Sequence, residues 1–215
     1  MYEHLDELLA KEKEKVRSAF NHLDVTGFDE LNVVRVRENT KEMFDRFLAE
    51  NEALYLRAAK KAYSSAVKTA RKEGYDGEET EINVSWVAGA LAGYSLVTGY
   101  LYKREAERKR LRLNEQILTA REFNDRQMYH DSLRKSANLW WTQTMQYGVS
   151  TVDKATIEAF KDMGVRRVKW VSIGDGRACT DCAGRNNKIY ELSKIPEKTH
   201  YGCRCYIVPV ETKEK

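Results

Sequence analysis

Proline is nearly absent from this chain: two occur in 215 residues, Pro196 and Pro209. Nothing of that kind therefore interrupts a helix ahead of residue 196. Cysteine is just as confined, with all four between Cys179 and Cys205, so the dense disulfide framework of a small secreted domain is excluded. The opening Met1-Tyr2-Glu3-His4-Leu5-Asp6-Glu7 has neither a basic n-region nor an apolar h-region. No secretory leader is expected from it, and the protein is expected to be made in a reducing compartment. Long apolar runs are scarce too. The one uncharged stretch of near-spanning length, residues 84–102, contains Ser85, Gly89, Gly93, Ser95, Thr98 and Gly99. It reads as a buried helix and not as a membrane span. There is no internal repeat and no low-complexity tract apart from a charged tail over residues 211–215.

Charge is what the chain has in quantity. Charged residues make up 33%, the formal net charge is +4 and the pI is near 8.7. With so little proline, this composition favours long helices with solvated faces over a β-sandwich. The mild basic balance permits contact with nucleic acid without demanding it.

Leu5, Leu8, Leu9, Val16, Phe20 and Leu23 predict a first helix, broken at Asp24-Val25-Thr26-Gly27. One long helix is expected over about 29–73, with an apolar stripe through Phe44, Phe47, Leu48, Leu54, Tyr55, Ala58, Ala62, Tyr63, Ala66, Val67 and Ala70. Gly74 stands where a C′ glycine belongs. A stripe this long wants a partner helix, so the helical part is expected to carry the main oligomeric or partner contact, with Leu54 in it. The run Lys103-Arg104-Glu105-Ala106-Glu107-Arg108-Lys109-Arg110-Leu111-Arg112 has two readings. Glu105 can pair with Lys109 at i, i+4 on a solvated face, or Arg108, Lys109 and Arg110 can touch phosphate. A further helix is expected over 125–147, carrying Trp140 and Trp141 into a helix contact and ending at Gly148. Ser150 or Thr151 should then cap a new short helix that stops at Met163-Gly164. A strand over 165–172, a turn over 173–176 and two short strands at 188–190 and 205–208 complete the chain. The expected fold is mainly α: a long-helix N-terminal domain, residues 1–149, followed by a small α+β zinc-knuckle module, residues 150–215.

That module holds the chemistry. Cys179-x-x-Cys182 followed by Gly184, and a returning His200-x-x-Cys203-x-Cys205, offer five soft ligands within one short segment. Zinc prefers thiolate and imidazole in a tetrahedral shell, and four protein ligands make a closed, structural site. Gly184 suits the turn by taking positive φ. Cys203 and Cys205, two apart, leave one face of an extended chain. Four of Cys179, Cys182, His200, Cys203 and Cys205 are expected to bind zinc, and spacing alone leaves open which four. Two disulfides, a redox pair or reduced free thiols are the alternatives; the turn residues Gly184, Asn186 and Asn187 argue against the helix that a thioredoxin-like pair should open.

The pattern resembles the phage head morphogenesis family, the Mu F-like minor head proteins of tailed bacteriophages. The resemblance rests on Gly164-Val165 leading to Val168-Lys169-Trp170, Asp175 ahead of Cys179-x-x-Cys182, Lys188-Ile189-Tyr190, Pro196, His200, Cys203-Arg204-Cys205 and Pro209. Thr98-Gly99-Tyr100, Arg108-Lys109-Arg110 and Val152-Asp153-Lys154-Ala155 are also similar to that family. The chain departs from it at Tyr201-Gly202, where the family often has proline after the histidine, and at Asn186-Asn187, where it has aspartate and glycine. The resemblance implies a structural minor head (capsid) protein, not an enzyme, made in the host bacterial cytoplasm and placed in the virion at the portal vertex or capsid interior. It would act in head morphogenesis, DNA packaging and DNA ejection. The implied partners are the portal protein or the major capsid protein, sequence-independent DNA and further copies of the chain; no membrane is implied. A zinc-dependent nuclease would need an open metal position or a general base, for which only His200, Asp175, Asp181 and Glu191 are at hand. A zinc-ribbon DNA-binding protein would need base-reading residues, and none is identifiable.

Overall fold

Four long helices account for most of the described residues, and several of their ends are set by residues suited to the task. The structure, a computed structural model, describes residues 2–25, 27–80, 96–173, 179–198 and 202–210. Helix α1 spans Glu3–Val25, a 3-10 turn spans Phe28–Glu30, α2 spans Val33–Lys72, α3 spans Leu96–Glu122 and α4 spans Arg126–Asp162. Asn32 caps α2, its Oδ1 accepting the Arg35 N–H at 3.0 Å, so the helix begins after the 3-10 turn and not at 29. Asp125 caps α4 in the same way through the Met128 N–H at 2.8 Å. Gly74 ends α2 as expected, with φ of +86° and paired bonds from Gly74 N to Arg71 O and from Tyr75 N to Ala70 O. The same two-bond ending recurs at Asn124 after α3 and at Gly164 after α4. It satisfies carbonyls that a helix end would otherwise leave open.

The expected break at Gly148 does not occur: α4 runs unbroken through Gly148, Ser150 and Thr151. Glycine here answers a packing need. A Cβ on Gly148 would stand 2.9 Å from Leu5 Cδ1, so the residue is small because α1 lies against it. The expected boundary at 149/150 therefore falls inside one helix.

The described chain forms two compact units, each discontinuous in sequence. One gathers residues 1–6, 55–87 and 146–215, the other residues 7–54 and 88–145. In the second unit Trp140 is fully buried against Phe44 and Phe47, with ring centroids 5.1 and 5.7 Å away, while Phe20 stacks on Phe47 at 6.1 Å. Thr40 and Asn114 share a buried 2.6 Å hydrogen bond between α2 and α3. The long stripe of α2 is buried within the chain, apart from a half-buried Leu48, and Leu54 keeps 2% of its surface. That stripe is core, not a free face. Of the uncharged stretch, residues 84–95 lie outside the described residues and 96–102 open α3. No described helix is long and apolar enough to cross a membrane.

In the first unit a three-stranded antiparallel sheet follows α4, its first strand lying between the other two. Its strands are β1 (Arg167–Val171), β2 (Ile189–Glu191) and β3 (Tyr206–Pro209), with a short helix α5 (Thr180–Arg185) between β1 and β2. Val168 faces Pro209 and Trp170 faces Ile207 across the β1/β3 ladder, and all four are buried. Pro209 is tolerable because β3 is an edge. The architecture is thus mainly helical with a small sheet near its C-terminal end that carries the cysteines.

Two substitutions test this packing. Leu54→Ala should lower unfolding free energy by about 2–5 kcal/mol in denaturant titrations, as for a fully enclosed leucine. Gly77 has no room at all: a Cβ there would lie 2.3 Å from the Asp162 carbonyl oxygen and 2.4 Å from Met163 Cα. Gly77→Ala should cost about 1–3 kcal/mol, whereas Gly184→Ala, with nothing within 4 Å, should leave the melting temperature unchanged or raise it. Equal effects at the two glycines would contradict the packing described.

Candidate metal centre

The end of β1 and the start of β3 form the last pair of their ladder, Val171 opposite Tyr206. Ser172 leaves one strand and Cys205 enters the other at that point. Cys205 Sγ lies 3.8 Å from Ser172 Oγ. Cys203 stands two residues further back, and like Cys205 it precedes the strand itself, yet both sulfurs reach the same place as their spacing requires.

The first cysteine pair arrives on α5. Cys179 is the N-cap of that helix and its Sγ accepts the Cys182 N–H at 3.4 Å. Gly184 lies inside α5 and is not among the positive-φ residues; the left-handed position is Asn187, at φ +63°. The expected turn therefore comes three residues later than Gly184. Asn tolerates this conformation better than most residues. Asn187 N–H donates to Trp170 O at 2.8 Å and Asn186 Oδ1 accepts the Ser172 N–H at 2.9 Å, so the turn is tied to β1. Arg185 completes the docking: its guanidinium sits 5.4 Å from the Trp170 ring centre and donates to Glu197 O at 2.7 Å.

These connections bring Cys182, Cys203 and Cys205 into one buried corner, their three sulfurs all within 4.8 Å of one another. Cys182 and Cys203 are 3.5 Å apart. A disulfide bond is about 2.05 Å long, and all four cysteines are free thiols. Sulfurs on a tetrahedral zinc-like ion with bonds of about 2.3 Å would be roughly 3.8 Å apart, so the donor set and its spacing fit a thiophilic metal. Of the candidates named from sequence, Cys182, Cys203 and Cys205 converge, Cys179 adjoins them through the Cys182 amide, and His200 and Asp175 lie outside the described residues.

No family model, curated protein or solved structure matches this chain. What can be said of the site rests on its own chemistry. Burial, with the neighbouring Cys179, Cys203 and Cys205 sulfurs, pushes the Cys182 thiol far up. Burial also raises Cys203. At Cys205 burial acts upward, but hydrogen bonds from the Ile173 backbone, Cys182, Ser172 and Cys203 outweigh it and the net direction is down. Without a cation the corner favours a mostly protonated cluster; a divalent ion would reverse that balance.

A second set of residues stands behind the cluster. Lys198, 14% exposed, points its ammonium at four oxygens: the two of the Asp153 carboxylate at 2.7 and 2.9 Å, the Cys203 carbonyl at 3.3 Å, and the Tyr2 hydroxyl. The buried Tyr2 hydroxyl also meets Asp153 and lies 3.3 Å from the Cys205 carbonyl. Arg204 reaches Asp6 at 2.5 Å with its guanidinium 5.4 Å from the Tyr2 ring centre. Burial raises both Tyr2 and Asp153; the Asp153 charge raises Tyr2 further, while Lys198 opposes the shift at Asp153. Sequence reasoning did not find this set. Asp153 and Arg204 stand in the sequence only as members of the stretches Val152–Ala155 and Cys203–Cys205, and nothing there joins them to Tyr2 or Lys198.

The basic run on α3 is partly self-neutralised. Arg108 pairs with Glu105 at 2.5 Å and Arg110 makes two bonds to Glu107, at 2.8 and 2.5 Å. Glu105 thus chooses Arg108 at i, i+3 in place of the expected Lys109. Asp181 and Glu191 are both exposed, and Glu191 pairs with Lys194 at 2.7 Å.

Proposed function

We propose that this protein is a zinc-stapled structural protein of the kind it resembles, a minor head protein of a tailed bacteriophage. The observation that carries the metal is the buried corner where the Cys182, Cys203 and Cys205 sulfurs lie within 4.8 Å of one another. In this reading zinc takes those three thiolates and Cys179, whose sulfur already faces the Cys182 amide. Four protein ligands leave no position for substrate, which suits a structural centre. The head assignment draws on the residues quoted above, from Gly164 to Pro209, and on long helices that bury their own stripe and present charged faces. The portal or major capsid protein would be the partner, at the portal vertex or capsid interior of the virion. Packaging and ejection of DNA would be the process served.

Freshly purified, reduced protein is expected to hold one zinc per chain by elemental analysis. Cys179→Ser should lose it while His200→Ala keeps it, and a chelator should lower the melting temperature, since structural metal binding is part of the folding free energy. Protein free of metal, or zinc retained by Cys179→Ser and lost by His200→Ala, would overturn the metal or its ligand set respectively. Particle assembly without the chain, compared with assembly in its presence, tests the head role directly.

Contact with DNA through Arg108, Lys109 and Arg110 belongs to the same proposal in reduced form. Phosphate would have to compete with Glu105 and Glu107 for the two arginines. Exchanging all three for alanine should flatten the slope of log K against log salt by about one unit, not the roughly three that unpaired cations would give. An unchanged slope would assign the run to protein contacts.

A further inference from the structure

We infer that Tyr2, Asp153 and Lys198 are positioning residues of the cysteine centre, holding the Cys203–Cys205 limb in ligating geometry from the start of α1, from α4 and from the segment just ahead of the limb. As a statement about metal this rests on the zinc reading above; as a statement about the cysteine limb it stands on hydrogen bonds alone. Both carbonyls that bracket Arg204 are held by side chains from outside the Cys203–Cys205 limb. Lys198 donates to Cys203 O at 3.3 Å, and the Tyr2 hydroxyl lies 3.3 Å from Cys205 O. Fixing the carbonyls on either side of residue 204 fixes the direction in which both cysteine side chains leave the chain.

The holders are themselves held. Asp153 binds the Lys198 ammonium through both carboxylate oxygens and also meets Tyr2. A lysine ammonium has three protons, and here Asp153, Tyr2 and the Cys203 carbonyl take them, so its orientation is determined. On α4 a second residue braces the limb: Gln146 Oε1 accepts the Gly202 N–H at 3.0 Å, one residue ahead of Cys203. Gln146 and Asp153 are seven apart and share one helix face.

Residues that orient metal ligands without touching the ion commonly change affinity by about 10- to 100-fold when replaced. Tyr2→Phe and Lys198→Met in the full chain are therefore expected to weaken zinc by that factor in competition with a chromophoric chelator. In the metal-free, reduced protein they should also speed alkylation of Cys203 and Cys205 by several-fold, read by mass spectrometry. Tyr63→Phe is the control. It removes a comparable tyrosine–aspartate bond, Tyr63 to Asp162 at 2.5 Å, in the same unit. It should lower the melting temperature by a similar amount and change neither readout.

Wild-type zinc affinity and alkylation rates in both variants would overturn the inference. So would parallel changes in Tyr63→Phe, which would reduce the effect to general stability. If wild-type protein takes up no zinc while alkylation still depends on Tyr2 and Lys198, the metal reading falls and the positioning of the cysteine limb stands.

Discussion

Three thiols cannot share one dry corner as thiolates unless a cation sits among them. The rest of the C-terminal module depends on how that constraint is met. Its sheet has strands of five, three and four residues, and a sheet so small has little independent stability. Val168, Trp170, Ile207 and Pro209 supply one apolar face, but the segment from Ser172 to Cys205 has few apolar residues to bury. What fastens it is α5 docked by Arg185 on Trp170, the Asn186–Asn187 turn bonded to β1, and the meeting of the sulfurs. Remove any one and the other two must hold a long connection closed against its own entropy.

The unbroken course of α4 matters more to this corner than a separate helix would. A break at Gly148 would have uncoupled Gln146 from Asp153. A continuous helix fixes them two turns apart, about 10 Å along its axis, and places both against the stretch that leads into Cys203. Gly148 between them lets Leu5 approach, which brings the start of α1, and with it Tyr2, to the same place. One missing Cβ thus serves the packing that carries a tyrosine to the cysteines.

Whether a feature could be read from sequence depended on the range of the interaction behind it. The apolar stripe of α2 and the Gly74 ending were legible because both are set by residues within a few positions of one another. The convergence of Cys203 and Cys205 was legible from their spacing of two, even though β3 begins only after them. Gly184 was misjudged because a C-x-x-C turn and a C-x-x-C helix cap have the same sequence signature; the left-handed residue proved to be Asn187. Gly148 was misjudged for another reason. Glycine weakens a helix by only about 1 kcal/mol, which the buried packing around it readily offsets. The pairing of Glu105 with Arg108 and not Lys109 lies below what spacing can decide, since i+3 and i+4 partners are close to equal. Tyr2 gave no signal at all, because its partners Asp153, Lys198 and Cys205 are separated from it by most of the chain.

That separation has a consequence for the kind of site this is. The sulfurs themselves come from one short stretch, so a flexible peptide carrying it could in principle gather them around an ion. Such a peptide would bind loosely, since each rotamer and backbone angle would be fixed only on binding. Here the carbonyls on both sides of Arg204 are held by Lys198 and Tyr2, and Lys198 is in turn held by Asp153 on α4. The ordering is done by folding, before any ion arrives. In the zinc reading a centre prepared in this way would favour tight, lasting occupancy by a single ion over exchange, and the same bonds tie the start of α1 to the Cys203–Cys205 limb. In the zinc reading, the metal therefore acts on more than the small sheet: through Lys198 and Tyr2 it also steadies the ends of α1 and α4 that belong to the same unit.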